Sequence, residues 1–150
     1  PKYKDDKVIF LTHSYMRERT GVLTDNEGYK IRPANWGKQI WEKLIQPLPN
    51  VDMVICGHTG KPGEFEDATA YVKSKNAAGN TVHQMMFNVQ ILGGGWEGNG
   101  GDGWVRILEF YPDGKTIHVK TYSPFFGISP TTKEHAHRTG KMDDYKITIE

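Results

Sequence analysis

The apolar positions of this chain follow two regimes that meet near Gly60. Before that point they form two short runs, Lys7 to Thr12 and Val51 to Cys56, rich in β-branched and aromatic residues as buried strands are. Between the runs Trp36, Ile40 and Leu44, joined by Trp41 and Ile45, recur at helical spacing. Asn35 stands where an N-cap belongs, and Pro47 and Pro49 end the helix. Residues Ser14 to Pro33 keep neither period and read as a long loop, a feature that in compact domains is commonly functional.

Beyond Gly60 the pattern changes to short strands joined by Gly, Asn and Asp turns. Thr69 to Val72, Thr81 to Ile91, Trp104 to Tyr111 and Thr116 to Tyr122 read as strands, with a last one from Tyr145 to Ile149 and no further helix. Ala77 to Asn80 and Tyr111 to Lys115 are hairpin signals. The second is the stronger, because Pro112 presets its own φ and Gly114 supplies a positive one. Ile117, Val119 and Thr121 alternate with His118, Lys120 and Tyr122, the pattern of a strand with one buried face. The fold class is therefore α/β, mostly β after residue 60, with neither an internal repeat nor a second domain boundary.

The candidate chemistry lies where the two early strands stop. Each apolar run is followed closely by a histidine, His13 and His58. Parallel strands joined by a helical crossover bring their carboxyl ends to one sheet edge, where crevices of α/β folds form. Two imidazoles in one crevice suggest a metal, and Gly57 is read as the residue that lets the backbone turn tightly before His58.

These residues carry a family resemblance. Thr12-His13 after an apolar strand, then Ile55-Cys56-Gly57-His58-Thr59, resembles the last two metal-binding motifs of the calcineurin-like metallophosphoesterases, the final one usually Gly-His-x-His. Gly79-Asn80-Thr81-Val82-His83-Gln84, and Gly101 to Phe110 running into Thr121-Tyr122-Ser123-Pro124, resemble the closing strands of a bacterial branch of that family, so the match covers most of the chain. The family's earlier motifs, Asp-x-His, Gly-Asp-x-x-Asp and Gly-Asn-His, are absent, and Gly60 stands where the second histidine of the final motif would be.

The resemblance implies that residues 1–150 are one partial domain, the carboxyl-terminal half of a two-sheet sandwich flanked by helices. It also implies a share of a dinuclear centre of divalent ions, Mn, Fe, Zn and Ni being indistinguishable, with His13 and His58 on one metal. The implied activity of the whole protein is hydrolysis of a phosphate mono- or diester through metal-bound hydroxide, in a periplasmic or secreted bacterial setting. The chain by itself is expected to be inactive, and a sheet edge left bare by missing strands would favour self-association.

Composition adds limits rather than direction. A chain of 150 residues with 37% hydrophobic and 25% charged residues is ordinary for a globular domain. Nineteen basic against eighteen acidic residues offer no electrostatic argument for nucleic acid or an anionic membrane as partner. No apolar run approaches bilayer-spanning length, and the first residues do not form a signal peptide. The lone Cys56 reads as a small core residue.

Several weaker features complete the picture. Tyr15 and Arg17 follow His13 and are candidates to face a substrate, the guanidinium suiting a phosphate oxygen. Trp96, inside the glycine-dense stretch from Gly93 to Gly103, is a candidate platform for the organic part of a substrate. Asn88 and Gln90, two apart on the expected strand, would share a face. His135-Ala136-His137 has metal-binding spacing but lies in a polar loop, and chance accounts for it better. The alternative to a hydrolase is a non-catalytic carbohydrate- or protein-binding β-sandwich module, built on four tryptophans and glycine-rich loops, in which the histidines are structural.

Overall fold

A computed structural model describes residues 2–25, 35–92 and 100–150. The first apolar run forms β1 (Val8–Leu11) and the second β2 (Val51–Cys56), paired in parallel with Leu11 opposite Ile55. Both strands therefore end at the same sheet edge.

The element between them has the expected extent but changes its winding midway. One α-helical turn, α1 (Gly37–Ile40), runs into a π-helical turn, Trp41–Ile45, closed by the Gln46 N–H donating to the Trp41 carbonyl at 2.8 Å. The N-cap is Trp36, not Asn35, and the first turn is satisfied from elsewhere in the chain. The buried Thr24 accepts the Gly37 N–H on its hydroxyl and the Lys38 N–H on its carbonyl, each at 2.9 Å. Gly37 is required here, since a Cβ would lie 1.6 Å from the Tyr15 carbonyl oxygen.

The described part of the expected loop is a small hairpin. Met16 bridges Leu23, the Arg17 N–H donates to the Val22 carbonyl at 2.8 Å, and the Gly21 N–H returns to the Arg17 carbonyl at 3.0 Å. Its base is deeply buried: Tyr15 and Met16 are fully covered. They pack with Ile45, Val54, Cys56, Val82 and Met86. Full burial of an apolar side chain of this size contributes on the order of 1.5–3 kcal/mol. Cys56 is buried and forms no disulfide.

Strands β3 (Thr69–Lys75) and β4 (Thr81–Phe87) complete this sheet in the order β1-β2-β4-β3. Strands β1, β2 and β4 run parallel and β3 antiparallel. The expected strand from Thr81 to Ile91 stops at Phe87, because the chain then winds into a 3-10 turn, Val89–Ile91. Asn88 and Gln90 consequently do not share a strand face, and Asn88 is freed for another task.

A second four-stranded sheet follows, wholly antiparallel: β5 (Val105–Phe110), β6 (Thr116–Tyr122), β7 (His137–Arg138) and β8 (Tyr145–Thr148). Strand β6 pairs with the other three. Ile117, Val119 and Thr121 are its buried face, as the alternation predicts. Helical turns expected nowhere in this half occur at α2 (Pro124–Gly127), Gly101–Gly103 and Lys133–His135. They are single turns, too short to leave a period in the sequence, and α2 is fixed by local chemistry instead: Pro124 opens it and the Ser123 hydroxyl accepts the Phe126 N–H at 3.2 Å.

The molecule is thus mixed α/β, mostly strands in two sheets with few helices. Its residues form two compact units, 1–61 with 66–88 and 62–65 with 89–150. Among the described residues no helix is long and apolar enough to cross a membrane.

Candidate functional site

The parallel register of β1 and β2 continues past the strands. The Thr12 N–H donates to the Ile55 carbonyl and the Gly57 N–H to the His13 carbonyl, both at 3.0 Å. His13 and His58 are thereby held side by side at the carboxyl edge of the sheet, their ring centroids 4.5 Å apart and their planes tilted by 45°. His13 is exposed and His58 half-buried. The juxtaposition expected from the two strand ends is present.

His58 is held in an uncommon backbone state. Its φ is +70°, and the Thr59 N–H reaches back to the Gly57 carbonyl at 2.9 Å, which makes His58 the centre of a γ-turn. A residue with a Cβ in that region is strained by about 1–3 kcal/mol and persists only where its surroundings over-determine it. The tight turn expected of Gly57 falls to the histidine itself; Gly57 is not among the positive-φ glycines.

Two side chains supply the over-determination. Asn88, more than nine-tenths buried, directs its Nδ2 at the His58 carbonyl (2.9 Å) and the Thr59 carbonyl (3.0 Å). Thr59, also buried, donates its hydroxyl to the Met16 carbonyl at 2.8 Å and so ties the turn to the hairpin base. The sequence signals both poorly. Asn88 stands out only as a polar residue in an apolar stretch, and nothing in its spacing reveals a partner thirty residues earlier.

The remaining expected residues scatter. Tyr15 lies in the core, its hydroxyl donating to Gln84 Oε1 at 2.7 Å, and burial, with a smaller contribution from Cys56, pushes its phenol well above the usual range. Arg17 is exposed on the hairpin, next in sequence to the Met16 carbonyl that Thr59 grips. Trp96 lies outside the described residues. His135 and His137 are both exposed with different neighbours, His135 beside Glu134 and His137 against the Tyr122 ring.

Two imidazoles fit a divalent ion by donor chemistry and by their shared edge, and they leave most of its coordination positions to other groups. Among the described residues no third His, Cys, Asp or Glu joins them.

Comparison with known proteins gives one relative to report. The chain is 30% identical, over 153 residues, to the uncharacterized protein YvnB of Bacillus subtilis (strain 168), in a match that takes in 99% of this chain and 10% of that protein. The chain therefore spans about a tenth of the length of the curated relative it matches. No protein-family model matches the chain, and no solved structure gives a significant match.

Proposed function

We propose that this chain is part of a metal-dependent phosphoesterase, the carboxyl-terminal half of a metallophosphoesterase-like sandwich domain, acting on a phosphate mono- or diester. The observation that carries the reading is the pair of imidazoles 4.5 Å apart at the carboxyl edge of two parallel strands, one of them set on a strained turn. Strain maintained at a polar, accessible sheet edge is more readily explained by a ligand than by packing.

In this reading His13 and His58 hold one divalent ion through neutral ring nitrogens, and other groups of the complete domain supply the remaining ligands. Divalent ions in such centres supply an activated water and neutralise charge on the phosphoryl group. The chain's own residues bind and orient. The γ-turn fixes the direction of the His58 ring, the Thr59 hydroxyl anchors that turn to the hairpin, and the exposed Arg17 guanidinium offers paired N–H donors to a phosphate oxygen.

The test is turnover by a longer version of the protein that carries the family's earlier motifs. Bis(p-nitrophenyl) phosphate should be cleaved in the presence of a divalent ion, and both a chelator and His58→Ala should remove that activity. Cleavage unaffected by either would sink the reading.

A further inference from the structure

We infer that Asn88 is the positioning residue of the two-histidine site: its side-chain amide imposes the left-handed turn on His58 and so aims the imidazole at the ion it shares with His13. The inference rests on the metal reading for its functional half alone, because the geometry stands independently.

A turn whose central residue carries a Cβ at φ +70° relaxes unless its carbonyls are held. Asn88 holds two in succession, His58 at 2.9 Å and Thr59 at 3.0 Å, using both protons of one NH2 group. The amide is itself placed with little freedom, since the Asn88 backbone N–H donates to the Ala68 carbonyl at 2.8 Å and the side chain is buried. Aspartate at this position has the same shape but presents acceptors to two carbonyl oxygens, so donation and shape can be separated experimentally.

The experiment uses the 150-residue chain, isotope-labelled for NMR, with Co2+ as the metal probe. In the unsubstituted chain the Asn88 carboxamide protons should exchange slowly with solvent, and the His58 backbone carbon shifts should be those of a left-handed residue. Asn88→Ala and Asn88→Asp should both move the His58 shifts toward ordinary values while the shifts of β2 and β4 stay put. Both should weaken Co2+ binding about 10 to 100-fold, the usual effect of losing a group that orients a ligand.

Left-handed His58 shifts that persist in the folded variants, or fast-exchanging Asn88 protons in the parent, would overturn the positioning role. A His58 turn that responds to Asn88 in a chain that binds no Co2+ supports the positioning role and overturns the metal reading instead. The two ideas therefore fail by different measurements.

Discussion

The hydroxyl of Tyr15 donates to Oε1 of Gln84 at 2.7 Å, and the other end of the same amide donates to the Ser74 hydroxyl at 2.7 Å. One buried glutamine thus ties the residue two positions after His13 to β4 and β3. Tyr15→Phe keeps the ring and leaves Gln84 Oε1 without that donor, which for a buried acceptor costs about 1–3 kcal/mol. Urea denaturation should show the midpoint falling accordingly; an unchanged midpoint would mean that the hydrogen bond is replaced at no cost.

Metal binding should depend on His13 and His58 and on neither His135 nor His137. In Co2+ titrations of the chain, His13→Ala and His58→Ala should each bring binding down to background, while the double variant His135→Ala, His137→Ala retains parental affinity. The reverse pattern would relocate the metal to the His135-Ala136-His137 segment.

The chain alone should not turn over phosphate esters. Two imidazoles cannot fix two ions, and the pair provides no in-line nucleophile of its own. Rigorously purified chain incubated with an aryl phosphate and Mn2+ should match the blank. Turnover abolished by His58→Ala would contradict this.

Gly60 is the next lever, in a longer protein bearing the earlier motifs. It is not among the positive-φ glycines, so a side chain there meets no left-handed strain. If position 60 faces the metal, Gly60→His should tighten retention by about 10-fold or more, on the scale known for groups around a metal. Gly60→Ala is the control, and equal resistance to a chelator in parent, His and Ala forms would show that the position faces elsewhere.

The hairpin turn before β6 carries a pH dependence of defined sign. Asp113 accepts the Thr116 hydroxyl at 2.6 Å and the Thr116 and Lys115 N–H groups at 2.8 and 2.9 Å, and these bonds, the Thr116 hydroxyl foremost, lower its pKa to about 2. A carboxylate depressed on folding adds stability that is complete above its unfolded pKa of about 4 and is lost as pH falls through about 2. Stability measured from pH 5 down to pH 2 should therefore decline less steeply in Asp113→Asn than in the parent.

The strand ends were legible because their signal is local. An apolar β-branched run stopping at a histidine says where the side chain will be once parallel pairing is assumed, and His13 and His58 meet as that assumption requires. The hairpin turns at Gly79 and Gly114 were legible for the same reason, both glycines taking positive φ. What escaped was set by contacts between distant residues. Thr24 caps a helix thirteen residues on, so Asn35 was the natural but wrong choice of cap. Asn88 leaves β4 to serve His58, so the apolar run through Ile91 looked like one strand. Tyr15 looked like a loop residue beside a site, yet its partner Gln84 lies on a strand that only the folded sheet brings near.

The ladder joining Leu11 to Ile55 and Gly57 to His13 also determines which kinds of sequence change the histidine pair can absorb. The alignment of the two strand ends comes from main-chain hydrogen bonds, which are indifferent to side-chain identity. Exchanges of one apolar residue for another along β1 and β2 should leave this main-chain ladder in place. A single inserted or deleted residue between Leu11 and His13, or between Cys56 and His58, takes one histidine out of step with the Gly57-to-His13 hydrogen bond. The pairing is therefore buffered against apolar exchanges within the two strands and brittle toward changes of length.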